Sequence, residues 1–279
     1  MVIAASARAA LTEATSRLER SGVQGSRTDA EILLAHVLGI RRAELRAGLG
    51  RDLDGEQLAE LDALVARRAM REPLAYVIGE WGFRRLTLSV DRSVLVPRPE
   101  TEVVVERCLA LIAGMVEPKV LDVGTGSGAI ALAIADEHPG ARVTAIDSSA
   151  GALDVARVNA RATGLDIELV ECDLHDGLPA GPWDLVVSNP PYVLPDEIES
   201  LEPEVRDWEP RAALVGVGAT EAVVEAAAGA LRRGGALVLE VASGDAERVA
   251  GLLRLNGLAE VRVTTDLAGR ERVVEGVLR

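Results

Sequence analysis

The 279-residue sequence predicts an α/β protein, a parallel sheet covered by helices, with a small helical bundle in front of it and a β-hairpin linker between. Three observations carry this. The first 75 residues show helical apolar spacing, residues 76–96 switch to glycine-punctuated alternation, and residues 97–279 alternate short β-rich runs with helix-length amphipathic segments. The expected domains are therefore a helical domain over 1–75, a hairpin linker over 76–96 and a sheet domain over 97–279. With 48% hydrophobic and 27% charged residues the composition is that of an ordinary globular chain, long enough for a core without disulfide or metal staples.

In the helical part, Thr28-Asp29-Ala30-Glu31 forms a capping-box pattern ahead of Ile32, Leu33, Leu34 and Val37, and Gly39 is placed to end that helix. Asp54 precedes Leu58, Leu61, Leu64 and Val65, a second periodic set that must stop near Pro73. Gly79, Gly82 and the alternating Leu86, Leu88 and Val90 read as the hairpin. Beyond it, 120–123, 142–146, 167–170 and 185–188 read as strands, the first three separated by helices, which implies parallel pairing. Gly234-Gly235 opens another strand over 236–241, and β-rich stretches at 261–265 and 272–277 close the chain.

Thirty basic against 44 acidic side chains give a formal charge of −14. Residues 1–75 are balanced, with 11 of each, so the excess falls on 76–279. An acidic larger half argues against nucleic acid as the primary ligand. No apolar run approaches the ~20 residues of a membrane span, and Arg8, Glu13 and Arg17 interrupt any signal-peptide core, so a cytoplasmic protein is expected, with no membrane partner. Cys108 and Cys172 form no CxxC, and His36, His138 and His175 stand in no zinc spacing, so no metal site is expected.

Asp122-Val123-Gly124-Thr125-Gly126-Ser127-Gly128 joins the first strand of the sheet to a helix, where glycines allow a sharp turn and close approach of a ligand. Asp147 ends the next strand, 19 residues after Gly128, where a carboxylate can accept both ribose hydroxyls of a nucleoside. Asp173, at the end of the third strand, is a candidate for the adenine edge. These features fit either a nicotinamide or flavin cofactor or S-adenosylmethionine.

Asn189-Pro190-Pro191-Tyr192 follows the fourth strand. Two prolines fix φ and remove two N–H donors, leaving a rigid row of acceptors: the Asn189 side-chain oxygen, the Pro190 carbonyl and the flat ring of Tyr192. Such a row suits a planar –NH2 group. An amide nitrogen attacking a methyl sulfonium gains positive charge, which acceptors aimed at its hydrogens stabilise. The surplus proton can leave to water, so no general base is needed.

Glu72-Pro73-Leu74-Ala75-Tyr76, Val96-Pro97-Arg98-Pro99-Glu100-Thr101-Glu102, the loop Asp122 to Gly128, Asn189 to Tyr192 and Glu209-Pro210-Arg211-Ala212-Ala213-Leu214 together closely resemble the peptide chain release factor glutamine methyltransferases, the HemK or PrmC family, over nearly the whole chain. The resemblance implies a Rossmann-like class I S-adenosylmethionine-dependent methyltransferase domain behind a helical substrate-docking domain. It implies methylation of the amide nitrogen (N5) of the glutamine in the Gly-Gly-Gln motif of class 1 release factors, with S-adenosylhomocysteine as product. By position, Gly124, Thr125, Gly126, Ser127 and Gly128 face the methionine part of the donor and Asp147 its ribose. Asp173 and Leu174 lie by the adenine, Leu174 at a position that can be aromatic in relatives. Asn189, Pro190, Pro191 and Tyr192 hold the glutamine amide, with Asn189 also beside the donor and Asn189, Pro190 and Tyr192 as the catalytic group, while Arg98, Glu100 and Thr101 border the cleft. Alternatives sharing such a site are a glutamine methyltransferase of a large-subunit ribosomal protein and a DNA or RNA adenine-N6 methyltransferase. Seven acids from Asp196 to Glu209, against the single base Arg206, are expected to form a cleft rim that steers a basic protein partner.

Overall fold

A computed structural model of the chain describes residues 5–47 and 49–279; residues 1–4 and 48 of the expected helical domain lie outside the described residues, as does the side chain of His175. The chain divides into two compact units, one running up to Gly79 and including Glu202–Trp208, the other comprising Glu80–Leu201 and Glu209–Arg279.

The first unit contains β1 (Ala5–Ser6), α1 (Ala7–Arg20), α2 (Ser26–Val37), α3 (Arg42–Ala47), β2 (Asp52–Leu53), α4 (Gly55–Ala69) and α5 (Leu74–Ile78). Leu11, Ala14 and Leu18 of α1, Ala30, Leu33 and Leu34 of α2, and Leu61 and Val65 of α4 sit at helical spacing and close one core with Val77 of α5. Helix α4 starts on a reciprocal cap: the Asp54 carboxylate accepts from the Gln57 N–H at 2.9 Å and the Gln57 side-chain oxygen accepts from the Asp54 N–H at 3.2 Å.

The capping box expected at Thr28–Glu31 does not form. Helix α2 begins at Ser26 behind the left-handed Gly25, whose carbonyl accepts from the N–H groups of Thr28 and Asp29. The acids are instead drawn to arginines, Glu31 to Arg27 and Arg42, and Asp29 to Arg68 at 2.8 Å. Charge-assisted contacts to guanidinium groups, that of Arg68 buried, win over a local cap.

Segment Glu202–Trp208, which includes the short helix Pro203–Arg206, is tied into this unit by Glu204. Its carboxylate accepts from Arg71 Nε and Nη2 at 2.7 and 2.5 Å and lies 2.7 Å from Arg68 Nη1. Burial opposes ionisation of Glu204, but the hydrogen bonds from Arg71 and Arg68 hold its pKa below the usual carboxylate value. Burial likewise pushes Asp29 up, against Arg68. Much of the acidic run is therefore committed to ion pairs: Glu202 and Glu204 to Arg71, Asp207 to Arg206 and Glu209 to Arg98. Asp196 and Glu199 are exposed, and Glu197 accepts from the Leu194 N–H. Glu204 and Glu209 are thus internal structure, whereas Asp196, Glu197, Glu199, Glu202 and Asp207 remain exposed.

The second unit opens with a hairpin, β3 (Glu80–Phe83) and β4 (Leu86–Ser89), turning through Arg84 at a φ of 50°. Phe83 and Leu88 are buried in this unit's core. After α6 (Thr101–Ile112) come β5 (Lys119–Val123), α7 (Ala129–Glu137), β6 (Arg142–Asp147), α8 (Ala150–Thr163), β7 (Glu168–Glu171) and β8 (Trp183–Ser188). Beyond the excursion to the first unit, in which Pro203–Arg206 is α9, follow α10 (Arg211–Leu214), α11 (Ala219–Ala230), β9 (Leu231–Glu240), α12 (Ala246–Leu255), β10 (Leu258–Thr265) and β11 (Glu271–Leu278).

The seven strands run in the order β10-β11-β9-β8-β5-β6-β7. The five from β7 to β9 are parallel, β11 pairs antiparallel with β9, and β10 antiparallel with β11. Both faces are covered: Val120, Leu185 and Val187 join the core under α6 and α7, and Leu121, Val186 and Leu237 join the core under α11 and α12. That is why the central strands read as continuous apolar runs. The chain builds outward from β5 to β7, then returns to β8 on the other side of β5. The reversal opens a crevice at the carboxyl ends of β5 and β8.

Glu204→Gln should lower the unfolding free energy by about 3 kcal/mol, the cost of leaving partly buried guanidinium groups short of their counter-charge. The urea midpoint of the helical unit checks this.

Candidate active site

In the sheet, Val123 pairs with Ile146 on one side and with Ser188 on the other. The next residues, Gly124, Asp147 and Asn189, therefore leave three adjacent parallel strands at the same edge. The N–H groups of Gly124 and Thr125 both donate to the Ile146 carbonyl at 2.9 Å. The Asp147 carboxylate accepts from the Gly126 N–H through one oxygen and from the Ser149 N–H through the other, each at 2.9 Å. Asp147 thus shapes the glycine loop and the turn ahead of α8, whose cap is Ser149, while facing the same cavity.

Beneath the loop, Asp122 is fully buried. Its Oδ2 accepts from the Thr125 hydroxyl at 2.6 Å and the Ala131 N–H at 3.2 Å, and its Oδ1 has no hydrogen-bond partner. Burial pushes this carboxyl up to about 7, against the Thr125 and Ala131 hydrogen bonds. On the outer side, Asn159 of α8 donates to the Ser127 carbonyl at 2.9 Å and the Ser89 carbonyl at 3.0 Å, and accepts from the Ser89 N–H at 2.6 Å. One buried amide so couples the loop to the hairpin.

The crevice is a cavity of about 540 Å3, lined by Gly124, Thr125, Gly126, Ser127, Asp147, Asp173, Leu174, Asn189, Pro190 and Pro191 among the expected residues, with Arg98 and Thr101. Gly124 and Gly126 have φ of 73° and 55°, and a Cβ on either would meet no atom within 4 Å, so a side chain there would occupy the open space. Gly128 is not in the cavity wall. It begins α7 at a φ of 82°, and a Cβ there would press on Leu132 and Ala156 at 3.1 and 3.4 Å, so it serves the packing of α7 on α8.

Tyr192 is also outside the wall. Burial pushes its phenol up, with Glu240 adding to the effect and Arg272 and Arg98 opposing it. Glu240, at the end of β9, accepts from the Thr101 hydroxyl at 2.6 Å and is itself pushed to about 7 by burial. Glu209, its side chain 1% exposed, meets Arg98 at 2.6 Å. Among the described residues no group of His, Cys, Asp and Glu could hold a metal ion, and no helix is long and apolar enough to cross a membrane.

Residues 9–79 match the PrmC N-terminal domain family and residues 102–201 the methyltransferase small domain family. The release factor glutamine methyltransferase of Caulobacter vibrioides is 40% identical over 274 residues, covering 96% of this chain and 95% of the relative. That of Deinococcus radiodurans is 44% identical over 271 residues, covering 95% of each. The chain belongs to the release factor glutamine methyltransferase family. Its sheet is the class I methyltransferase fold: a T. thermophilus 16S rRNA methyltransferase in complex with AdoMet and guanosine superposes with a TM-score of 0.52 at 18% identity, over 72% of this chain and 50% of that one.

Several residues of this methyltransferase site escape a reading by motif. Asp122 stands inside the glycine-loop segment but carries no spacing signal of its own. Asn159 lies mid-helix, where its helical position hides a bridge to two other segments. Glu240 ends a strand as an acid among apolar residues, a signal of burial or function that only its neighbours distinguish.

Because Asp122 and Glu240 keep their protons when folded at pH values where an unfolded chain has lost them, the stability they permit is full at low pH and is lost as pH rises toward about 7. Unfolding free energy should therefore decline across that window, by at most about 1.4 kcal/mol per pH unit for each group. Glu240→Gln keeps an acceptor for Thr101 and should show the shallower slope in denaturant titrations across the range.

Proposed function

We propose that this enzyme transfers the methyl group of S-adenosylmethionine to the side-chain amide nitrogen of the glutamine in the Gly-Gly-Gln motif of class 1 release factors, leaving S-adenosylhomocysteine. The observation that carries the reading is that Asn189 and Pro190 open on the same cavity as Gly124 to Ser127 and Asp147, in a chain of this family. Acting on release factors, the enzyme works in the cytoplasm, and the helical unit is read as the element that docks the protein substrate.

The residues present fit the donor. Gly124 and Gly126 leave room that a Cβ would fill, and Asp147 stands where ribose hydroxyls can donate to a carboxylate. Leu174 offers an aliphatic face to the adenine and Asp173 an acceptor at its edge. The donor supplies a methyl group made electrophilic by its sulfonium.

The side-chain oxygen of Asn189 and the carbonyl of Pro190 accept the two amide hydrogens of the glutamine and fix the nitrogen's orientation. As positive charge grows on that nitrogen, both contacts strengthen, so they favour the transition state over the ground state. Pro190 and Pro191 keep the row rigid, so little reorganisation is needed. Tyr192 is half-buried outside the cavity wall, within electrostatic reach of Glu240, and is read as support for the row, not as a ring stacked on the amide. The proton released after transfer leaves to water.

Labelled-donor methylation of release factors, ribosomal proteins and DNA, with the modified residue located by mass spectrometry, tests the substrate; label on DNA in place of the factor's glutamine defeats the proposal. Asp147→Ala should weaken donor binding by about 2–4 kcal/mol, as charge-assisted contacts to ribose are lost; calorimetry that finds unchanged affinity contradicts the assignment. Asn189→Ala and Asn189→Asp should both reduce kcat by 10-fold or more, on the order of 1.4 kcal/mol of transition-state stabilisation, while donor affinity changes little. Aspartate keeps an acceptor oxygen but adds charge beside the amide, so the two variants should differ.

A further inference from the structure

We propose that Glu209 is a positioning residue for the acceptor row, acting at a distance through the chain segment that follows it. The proposal rests on the reading that Asn189 and Pro190 hold the glutamine amide.

Glu209 does not line the cavity, and its side chain is 1% exposed. Both of its carboxylate oxygens lie 2.6 Å from Nη2 of Arg98, which does line the cavity. Burial raises the Glu209 carboxyl while Arg98 and the Val96 backbone amide lower it, so the arginine is what makes the site tolerable for an anion. A pair with its carboxylate buried contributes little net stability compared with an apolar packing, and its best-attested use is to fix one arrangement of the chain among several.

The arrangement fixed here is a brace. From Glu209 the chain passes through Pro210 and α10 to Leu214, whose carbonyl accepts from the Val193 N–H at 2.9 Å, and Val215 pairs with Val193 in a parallel bridge. At Gly216 the approach is closer still: a Cβ would lie 2.5 Å from the Pro191 carbonyl oxygen and 2.5 Å from its Cγ. No residue larger than glycine fits without moving Pro191, and φ at Gly216 is not left-handed, so the demand is for space and not for backbone freedom. Proline rings already fix φ at Pro190 and Pro191. The freedom left in the row is a swing about Asn189, and a chain laid against Pro191 and hydrogen-bonded to Val193 removes it. Glu209 holds one end of that chain to the same Arg98 that borders the cavity.

The test uses Glu209→Gln and Gly216→Ala in the full chain, with Glu209→Asp as the conservative variant. Three quantities are read: kcat and KM with the intact release factor, donor affinity by calorimetry, and amide hydrogen exchange at Val193. Both main variants should lower kcat by about 10–100-fold, the scale of a misplacement near 1 Å. In Glu209→Gln donor affinity should stay within about twofold of wild type, Val193 should exchange faster in both variants, and Glu209→Asp should recover part of the rate; Gly216 itself lines the cavity, so its variant is read by kcat and exchange. Should Glu209→Gln fail to fold, Gly216→Ala carries the test with every charge in place. Unchanged exchange at Val193 in the folded variants overturns the brace, and so does a loss of donor affinity in step with kcat in Glu209→Gln. Faster exchange with wild-type kcat overturns instead the reading that this row holds the amide.

Discussion

The parallel register of β5 between β6 and β8 is the constraint on which the rest of the site depends. Because Val123 is level with both Ile146 and Ser188, three chain segments leave the sheet at the same height. The glycine loop, the carboxylate of Asp147 and the acceptor row of Asn189 then face one crevice without any long side chain having to reach. A slip of one residue in either pairing would turn a core side chain to the wrong face and be rejected by the two-sided packing of these strands. Site geometry is thus enforced by the hydrophobic core.

Around this edge the backbone is held mainly by single polar side chains that serve several segments at once. Asp147 bonds two backbone N–H groups, Asp122 a hydroxyl and an N–H, and Asn159 a carbonyl in the loop and both polar groups of Ser89. Each is buried or partly buried, so loss of one partner leaves a group unsatisfied in low dielectric. A loop stiffened in this way can present bare backbone to a donor, since its shape does not depend on contacts made by the ligand.

The sheet, its strands and the glycine loop were legible in the sequence because periodicity and glycine punctuation are local signals. The run 185–188 followed by Asn189-Pro190-Pro191 likewise announces a strand and its rigid end. What stayed hidden depends on partners far along the chain. Thr28–Glu31 looks like a cap until Arg68 claims Asp29 from 39 residues away. Glu204 and Glu209 look like part of an acidic rim until arginines at 68, 71 and 98 are brought to them. Tyr192 and Gly128 are in the motifs, yet spacing alone does not tell a cavity wall from the packing behind it. The antiparallel β11 follows a pattern indistinguishable from that of the parallel strands of the same sheet.

The membership of Glu202–Trp208 in the helical unit bears on the order in which the protein can be completed during synthesis. Glu204 lies 133 residues after Arg71. When the helices have emerged from the ribosome, Arg68 and Arg71 still lack that counter-charge, and they acquire it only after β5 to β8 and the acceptor row have been made. A vectorial process that finishes most domains from the N-terminus onward here leaves the first unit waiting on the second half of the chain. Residues 1–79 are therefore not a self-contained module that could be cut out at Gly79 and keep its charges matched. The boundary visible in the sequence separates two hydrophobic cores, but not two independent stretches of polypeptide.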